Sequence, residues 1–370
     1  MSVYEEIGLR RVINASGRVT VLGVSTISER VAAAAASGAQ SYVVIDELID
    51  KAGEIISTYT GAEDSCVTSC ASAAIALTIA GLISKGKKSI VDRLPDSEGL
   101  ANEIVLQKGH SIDYGAPMTT MIRLGGGIPI EAGMANEVSA EDIEEAITDK
   151  TVALLYVKSH HCVQKGMVDI ATMMKIAKQH HLPFMIDAAA EEDFRKYIGM
   201  GADLVFYSGA KALEATTSGF VTGKKKYISY VKKQYKGIGR AMKIGKEGIM
   251  GLLTALEQYE HKDQKKEVAE NLSKVQYLCE EINRIPGLKA EQIQDEAGRA
   301  IYRARMTLDP DYQGGNMQEI QSALRRGTPM IYCRAEFLNL GKLDFDPRPL
   351  GNGDKELIVE RLKEIMEAQK

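Results

Sequence analysis

The chain of 370 residues is 45% hydrophobic and 26% charged, which is typical of a folded protein with one large core or two packed domains. Its 46 basic and 50 acidic residues give a formal charge of −4, so the whole molecule has no positive field that would attract nucleic acid or an anionic membrane. Disordered and fibrous classes are therefore excluded, and any anion must be bound by a local cluster.

The five cysteines are odd in number and form no C-x-x-C pair, which favours free thiols in a reducing compartment over a disulfide scaffold. Cys66 and Cys70 do not make a metal site, because two ligands without a nearby third or fourth cannot complete a zinc centre. The first residues lack the basic and apolar pattern of a secretory signal, and the longest apolar run, 73–83, is well short of the roughly 20 residues of a membrane span. We therefore expect a cytoplasmic protein without a metal site or a membrane span.

The predicted elements of the first two thirds of the chain alternate between short runs of branched apolar residues and helical patterns. This rhythm is typical of βαβ units and predicts a mostly parallel central sheet with helices on both faces. An alanine-rich helix follows residue 70. In chain order the predicted strands are 89–92, 104–106, 152–157, 184–187 and 204–207, with helices at 170–180 and 191–198 between the later ones.

The pattern changes at about residue 246, where a long amphipathic helix leads into a charged stretch that begins at residue 261. We predict a domain boundary there and a smaller α+β domain beyond it. The division is an N-terminal segment, 1–44, that packs with the small domain, a large domain, 45–261, and the small domain, 262–370. Within the small domain the sequence predicts helices at 268–282, 316–325 and 355–368 and strands at 300–308, 330–333 and 336–340.

Polar side chains follow three of the predicted strands, where ligands bind in an open α/β sheet. They are Asp187, the segment Ser208 to Lys211, and the segment Lys158 to His161. An aspartate and a lysine at neighbouring strand ends suit pyridoxal 5'-phosphate, because the lysine can form the Schiff base and the carboxylate can keep the pyridine nitrogen protonated. On spacing alone, the pair favours a surface salt bridge between two loop residues over a cofactor site.

A candidate phosphate site precedes the alanine-rich helix. Ser69, Cys70, Ala71 and Ser72 combine small hydroxyl side chains with the unpaired backbone N–H groups of a helix start, which together can bind an anion. The alternative is an ordinary serine N-cap without a ligand.

Four segments taken together resemble a known family. They are Ile13 to Gly17, Glu103 to Gly115, Ser208 to Leu213 and Arg240 to Lys246, and in this order they are similar to segments of the selenocysteine synthase-like family of pyridoxal phosphate enzymes. The resemblance runs over most of the chain and is greatest to the shorter members, the D-glucosaminate-6-phosphate ammonia-lyases. It implies fold type I, the aspartate aminotransferase-like architecture, and pyridoxal phosphate as the cofactor.

The resemblance also assigns roles to residues that match the motifs. Lys211 would carry the cofactor, Asp187 would bind the pyridine nitrogen, and His110 would stack on the ring. A substrate-carboxylate arginine is implied in the C-terminal domain, for which Arg348 is the best match and Arg334 the second, with a surface role open for both. The phosphate contacts implied are Ser69, Cys70, Ala71, Ser72 and Ser208, and the further substrate contacts are Arg18 and His160, the latter with a structural role as its alternative.

The function implied is removal of water and then ammonia from D-glucosaminate 6-phosphate, by a homodimer or a larger assembly of dimers.

The segment 224–246 supports a rival function, because it holds nine basic residues, no acidic one and three interleaved tyrosines, a pattern that can follow an RNA backbone. A tRNA-dependent selenium transferase would use it so. Against this, the net charge is negative, and the position of Ile13 near the start of the sequence leads us to expect no N-terminal tRNA-binding domain like that of this enzyme. The segment could instead be a solvated helix face or attract a phosphorylated substrate. A catalytically silent binding protein of the same fold is the third alternative.

Overall fold

The computed structural model describes residues 3–296 and 298–368. The strands are β1 (Val12–Ala15), β2 (Asp64–Thr68), β3 (Glu103–Gln107), β4 (Ile128–Ala132), β5 (Thr151–Val157), β6 (Phe184–Asp187), β7 (Leu204–Ser208), β8 (Gly219–Gly223), β9 (Leu288–Gln294), β10 (Tyr302–Leu308), β11 (Met330–Cys333) and β12 (Lys342–Phe345). The helices are α1 (Val3–Glu6), α2 (Glu29–Gln40), α3 (Ile45–Thr60), α4 (Ala71–Ser84), α5 (Lys88–Val91), α6 (Met118–Leu124), α7 (Ala140–Glu145), α8 (Ile170–Gln179), α9 (Lys196–Met200), α10 (Lys225–Lys233), α11 (Lys246–Glu260), α12 (Gln264–Asn283), α13 (Met317–Arg326) and α14 (Asp354–Ala368). Within residues 3–296 and 298–368, no helix is both long and apolar enough to cross a membrane.

The chain forms two compact units. The smaller unit consists of Met1–Ser25 together with Asp263–Lys370, and the larger unit is Thr26–Lys262, all of whose residues are described. The sequence predicted boundaries after residues 44 and 261. The first needs correction: α2 packs on α11, and this contact places residues 26–44 with the larger unit.

The larger unit contains a seven-stranded sheet in the order β2-β8-β7-β6-β5-β3-β4, in which only the pairings of β8 are antiparallel. Strands β6 and β8 are buried at every position, as expected where both faces of a sheet are covered. Helix α4, which is buried over nearly its whole length, packs against β5, β7 and β8, and α8 packs against β5 and β6. The predicted α/β class with a mostly parallel central sheet is confirmed.

The smaller unit has an antiparallel sheet in the order β12-β10-β9 and a separate parallel pair, β1 with β11. Helix α12 packs on β9, β10 and α14, while α13 packs on β11 and α14. The pairing of β1 with β11 joins the N-terminal residues to the C-terminal part of the chain and brings Asn14 opposite Tyr332.

Three predicted elements of the sequence analysis are wrong in type or place. Residues 89–92 lie in or beside helix α5 instead of a strand, because buried Val91 and Leu94 repeat at the three-residue spacing of a helix. Residues 336–340 end in a short 3-10 turn closed by left-handed Gly341, and the strand β12 follows that turn. The helix predicted at 191–198 begins only at Lys196.

Candidate active site

The carboxyl ends of several strands meet at one edge of the larger unit's sheet. Strand β6 ends at Asp187 and its neighbour β7 ends at Ser208. The antiparallel strand β8 begins at the same edge, where Gly219 pairs with Ser208 on one side and with Thr68, the last residue of β2, on the other. The ends of β2, β8 and β7 therefore lie side by side, and this register brings the start of α4 next to the loop that carries Lys211.

Asp187 is a buried carboxylate, 8% exposed, at the end of β6. Its Oδ1 accepts a hydrogen bond of 3.0 Å from the backbone N–H of Ala189. Burial raises the pKa of Asp187, and the positive charge of Lys211 and the Ala189 N–H offset that effect only in part. The site therefore holds a buried acid whose ionised form would be further stabilised by a cation such as a protonated ring nitrogen.

Lys211 lies in a tight loop after β7 and is half-buried. The loop is held by two backbone bonds of Gly209, one from its N–H to the carbonyl of Ser218 and one to its carbonyl from the N–H of Ala215, each 2.9 Å long. A Cβ on Gly209 would lie 2.2 Å from the hydroxyl of Ser218, so only glycine allows this close approach. The structure thus fixes the backbone of Lys211 near the carboxylate of Asp187.

The start of α4 is shaped by Cys70, which is the N-cap residue in place of the serine considered from the sequence. Its Sγ accepts the N–H of Ala73 at 3.3 Å, while the Thr68 hydroxyl donates to the carbonyl of Cys70 at 2.8 Å. Ser69 and Ser72 flank this turn and are half-buried. The backbone N–H groups of the first helical turn, with the positive end of the helix dipole, favour an anion at this point.

Gly219 provides an independent test of whether the site fits a phosphorylated cofactor. A Cβ at this position would lie 2.5 Å from the carbonyl carbon of Cys70 and 2.6 Å from the nitrogen of Ala71. The glycine therefore lets β8 pass directly beside the start of α4, next to Ser208 of β7. Together with the buried Asp187 and the adjacent Lys211, this arrangement fits pyridoxal phosphate.

His110 is buried, 2% exposed, and follows β3, which is separated from β6 and Asp187 by strand β5. Its Nδ1 accepts the backbone N–H of Val157 at 3.3 Å, and its ring meets that of Tyr156 edge-on with the centroids 4.5 Å apart. Burial, assisted by the charge of Lys158, lowers the pKa of His110 to about 4. The imidazole is therefore neutral at physiological pH and carries its proton on Nε2.

Tyr114 is a site residue that the sequence reasoning missed. Its hydroxyl lies 3.3 Å from the Ser72 hydroxyl, and the charge of Asp187 acts on it. Burial raises the pKa of Tyr114 to about 12, so the phenol stays protonated. The available signal was the position of Tyr114 beside Gly115, at the end of one of the segments that carried the family resemblance.

The residues predicted to contact substrate are divided between the units. His160 follows β5 in the larger unit, where its ring lies 4.0 Å from that of His161. Arg18, Arg334 and Arg348 belong to the smaller unit. Their predicted contacts with a substrate stay predictions.

The two C-terminal arginines differ in their surroundings. Arg348 forms two hydrogen bonds with the carboxylate of Asp346, of 2.9 and 2.8 Å, and a Cβ on Gly17 would lie 3.2 Å from its Nη2. Arg334 is 8% exposed and forms an ion pair with Glu336, while its Nε makes no hydrogen bond within residues 3–296 and 298–368. Arg348 therefore lies against Gly17 of the N-terminal Asn-Ala-Ser-Gly motif, while Arg334 follows Cys333, which pairs with Ala15 of the same motif.

Comparison with known proteins adds a second line of evidence. The sequence profile described as SelA, L-seryl-tRNA selenium transferase, matches residues 12–313. The chain is 50% identical over 366 residues to D-glucosaminate-6-phosphate ammonia lyase from Salmonella typhimurium, covering 99% of this chain and 98% of that protein. It is 40% identical over 365 residues to 5'-C-glycyluridine monooxygenase-decarboxylase from a Streptomyces species, covering 98% and 92%.

Solved structures agree with these sequence matches. A structure of D-glucosaminate-6-phosphate ammonia-lyase superposes with a TM-score of 0.92 at 49% identity and covers 100% of this chain and 99% of the other. Thermus thermophilus aspartate aminotransferase, at 18% identity and a TM-score of 0.55, shares the fold over 98% of this chain and 93% of the other. The expected fold type I is thereby confirmed.

Proposed function

Because the chain belongs to the L-seryl-tRNA selenium transferase family, whose members use pyridoxal phosphate, we propose that it is a lyase that converts D-glucosaminate 6-phosphate to a 2-keto-3-deoxy acid 6-phosphate and ammonia. The observation that carries this proposal is the 50% identity to the ammonia lyase over 99% of the chain. The relative that is 40% identical is named for a different reaction, so membership of the family alone does not select the substrate.

Five features of the larger unit would hold the cofactor. Lys211 would bind it covalently, Asp187 would pair with its ring nitrogen, and the turn from Ser69 to Ser72 with Ser208 would bind its phosphate. Gly219 leaves room for the phosphate-binding turn against β8. When bound, pyridoxal phosphate supplies an electron sink that stabilises negative charge at the α-carbon of an amino acid substrate.

The protein's own residues would then move the protons. With the substrate amine bound in its place, the Nζ of Lys211 would be free to act as the general base that takes the proton from the α-carbon. Asp187 would keep the ring nitrogen protonated, and the positive charge of that nitrogen would offset the cost of burying the carboxylate. The Lys211 ammonium formed in this way would give that proton to the β-hydroxyl, which would leave as water, and hydrolysis of the released enamine would give the keto acid and ammonia.

Substrate recognition is assigned to the predicted cationic residues. Arg348 is the candidate for the substrate carboxylate, because its bidentate contact with Asp346 holds the guanidinium in one orientation. Arg334, Arg18 and His160 are the remaining candidates. An arginine suits this role because its planar donors match a carboxylate.

The basic segment favours the lyase over the tRNA-dependent rival. Within 224–246, Lys224 pairs with Asp203 at 2.5 Å, and Lys232 pairs with Asp50 and Asp64 at 2.9 and 3.1 Å. These charges already have acidic partners, which reduces what the segment offers to RNA. Binding of tRNA would reveal itself by an affinity that falls steeply with added salt.

We also propose a homo-oligomer, a dimer at least, in the cytoplasm. The consecutive residues Tyr42, Val43, Val44 and Ile45 are all exposed, and such an apolar strip is typical of an interface. The cytoplasmic location is supported by the five cysteines, which are free thiols. Light scattering should give the mass of a dimer or larger assembly, reduced by Val44→Asp but not by Met134→Asp, an exposed apolar residue elsewhere in the larger unit. A monomeric wild type would refute the assembly.

The deciding experiment is release of ammonia and 2-keto acid from D-glucosaminate 6-phosphate by the cofactor-loaded protein. Lys211→Ala should lose essentially all turnover, whereas Lys178→Ala, which removes an exposed lysine at the end of α8, should keep it. A yellow wild type that does not release ammonia would refute the substrate and direct the search to other amino acids or to charged tRNA. A protein that stays colourless with added cofactor would favour the silent relative.

A further inference from the structure

We propose that Tyr114 is a cofactor-anchoring residue whose hydroxyl donates a hydrogen bond to the phosphate of pyridoxal phosphate, side by side with Ser72. The proposal rests on the cofactor use described above and deepens it, but it does not depend on which amino acid is the substrate. No motif or comparison assigned a role to this side chain.

The first observation is its position at the start of α4. The Tyr114 and Ser72 oxygens lie 3.3 Å apart, and Ser72 is the second residue of the helix. Two hydroxyl groups thus converge on the point where the backbone N–H groups of Ala71 and Ser72 have no partner within the helix. An anion there could accept from both hydroxyls and from the backbone.

The second observation is the rigid turn that presents the side chain. Asp113 bridges Pro117, and the N–H of Met118 donates to the carbonyl of Ile112 at 2.9 Å. Gly115 follows Tyr114 with φ of +105°, a conformation that favours glycine, and its N–H is bound by the Asp113 carboxylate at 2.7 Å. These backbone contacts fix the turn that carries Tyr114, and so they fix the position from which its side chain extends.

The electrostatic setting suits a donor. Burial raises the pKa of Tyr114 to about 12, the bond with Ser72 lowers it, and the charges of Asp187 and Cys70 raise it again. The hydroxyl consequently keeps its proton throughout the range in which the cofactor phosphate is a dianion.

The test is the affinity for pyridoxal phosphate, measured by equilibrium dialysis of apo-protein. A hydrogen bond to a charged acceptor contributes about 1.5 to 3 kcal/mol, so Tyr114→Phe should weaken binding by about 10- to 150-fold. The matched control is Tyr259→Phe, which removes another half-buried phenol whose hydroxyl bonds the carbonyl of Glu192 at 2.8 Å. This variant should bind the cofactor as the wild type does, and circular dichroism checks that both variants are folded.

Two further measurements locate the contact. The 31P resonance of the bound cofactor should move in Tyr114→Phe and stay in place in Tyr259→Phe. Ser72→Ala combined with Tyr114→Phe should lose less affinity than the sum of the single losses, because the two hydroxyls share one acceptor. An affinity within twofold of the wild type, or an unmoved 31P resonance, would overturn the assignment. A wild type that binds the cofactor without releasing ammonia would refute only the substrate, whereas failure of the wild type to bind would refute the cofactor.

Discussion

Two buried aspartates, Asp187 in the larger unit and Asp346 in the smaller one, have pKa values shifted in opposite directions. Burial would raise both. At Asp346 it is outweighed by Arg348 and Arg303, whose nitrogens lie 2.8 and 3.1 Å from its Oδ2, so the pKa falls well below the usual range. At Asp187 the charge of Lys211 and one backbone N–H are insufficient, and the pKa rises.

The difference separates two uses of a buried carboxylate. Asp346 is satisfied by its own chain and fixes the orientation of the arginines around it. Asp187 has a charge that the chain alone does not fully compensate, as is typical of a group that pairs with a bound cation. The comparison predicts that substitutions in the smaller unit change stability first, whereas those in the larger unit change cofactor binding and catalysis first.

The largest effect on stability should come from Arg303→Met. The Arg303 side chain is only 1% exposed and bridges Asp346 to Asp295 at 3.1 Å each. Removing one partner of a buried ion pair costs about 3 to 5 kcal/mol, because the remaining charges stay buried. Urea unfolding followed by circular dichroism should show this loss, while Arg284→Met, an exposed helix arginine paired with Glu281, should change the free energy of unfolding by less than about 1 kcal/mol. Equal losses in the two variants would contradict the bridging role.

Asp187→Asn should reduce catalysis and not stability, the reverse of what is expected for Arg303→Met. Loss of the carboxylate opposite the ring nitrogen should reduce turnover by about 100- to 1000-fold, the range for removing one preorganised electrostatic contact. The apo-protein should nevertheless melt at a higher temperature at pH 7. A raised pKa means that the stability contributed by protonated Asp187 is present at low pH and lost as the pH rises through the folded value, so the ionised group is a burden that asparagine removes.

Differential scanning calorimetry of apo-protein and holoenzyme measures both parts of this prediction. The advantage of the asparagine variant should disappear below about pH 4, where the carboxyl is protonated in the wild type as well. With cofactor bound, the order should reverse, because only the wild type gains the ionic contact. An apo-variant that melts below the wild type at pH 7 would count against an uncompensated charge.

His110 extends the comparison, because burial dominates its titration as it does at Asp187. Its pKa is lowered from 6.5 to about 4, so the stability due to the neutral imidazole is complete above pH 6.5 and is lost as the pH falls toward 4. Wild type should therefore lose about 3 kcal/mol more than His110→Asn between pH 7 and pH 4. Asparagine is chosen because its side-chain oxygen can replace Nδ1 as the acceptor for Val157. Urea titrations at both pH values test this, with exposed His261→Asn as the control. If the free energy of unfolding falls by the same amount between pH 7 and pH 4 in wild type and in His110→Asn, the prediction is refuted.

The sequence predicted the parts of the site that local chemistry determines. Asp187 and Lys211 could be identified because each follows a continuous apolar run, and such runs form buried parallel strands. Strand β8 was missed because its glycine ends resemble a loop, and the need for Gly219 arises from the backbone of Cys70, which is 149 residues away in sequence. The 3.3 Å contact of Tyr114 with Ser72 depends in the same way on tertiary packing.

The smaller unit was harder to predict for the same reason. The pairing of β1 with β11 joins residues more than 300 positions apart, and four consecutive residues carry no periodic signal that identifies a partner. The carboxylates that bind Arg303 come from two separate segments, whereas Asp346 lies only two residues before Arg348. The sequence alone did not choose between Arg348 and Arg334. In the structure Arg348 forms two hydrogen bonds with Asp346, whereas Arg334 pairs with Glu336.

The smallest predicted effect is that of Asp346→Asn on KM. It tests whether the contact with Asp346 sets Arg348 apart from Arg334 as the substrate-binding arginine. The amide keeps one acceptor for Arg348 but loses the charge that orients it, so the KM for the sugar acid should rise by about 10-fold, the lower end of the range for removing a supporting residue. The affinity for pyridoxal phosphate should stay unchanged, because the cofactor contacts proposed above all come from the larger unit. Asp344→Asn is the matched control, since Asp344 is also buried and binds Arg305 through two bonds of 2.7 and 2.8 Å. A loss of thermal stability should accompany both variants, but only Asp346→Asn should change KM. If both variants raise KM equally, or neither does, Asp346 supports the fold without orienting a substrate-binding arginine.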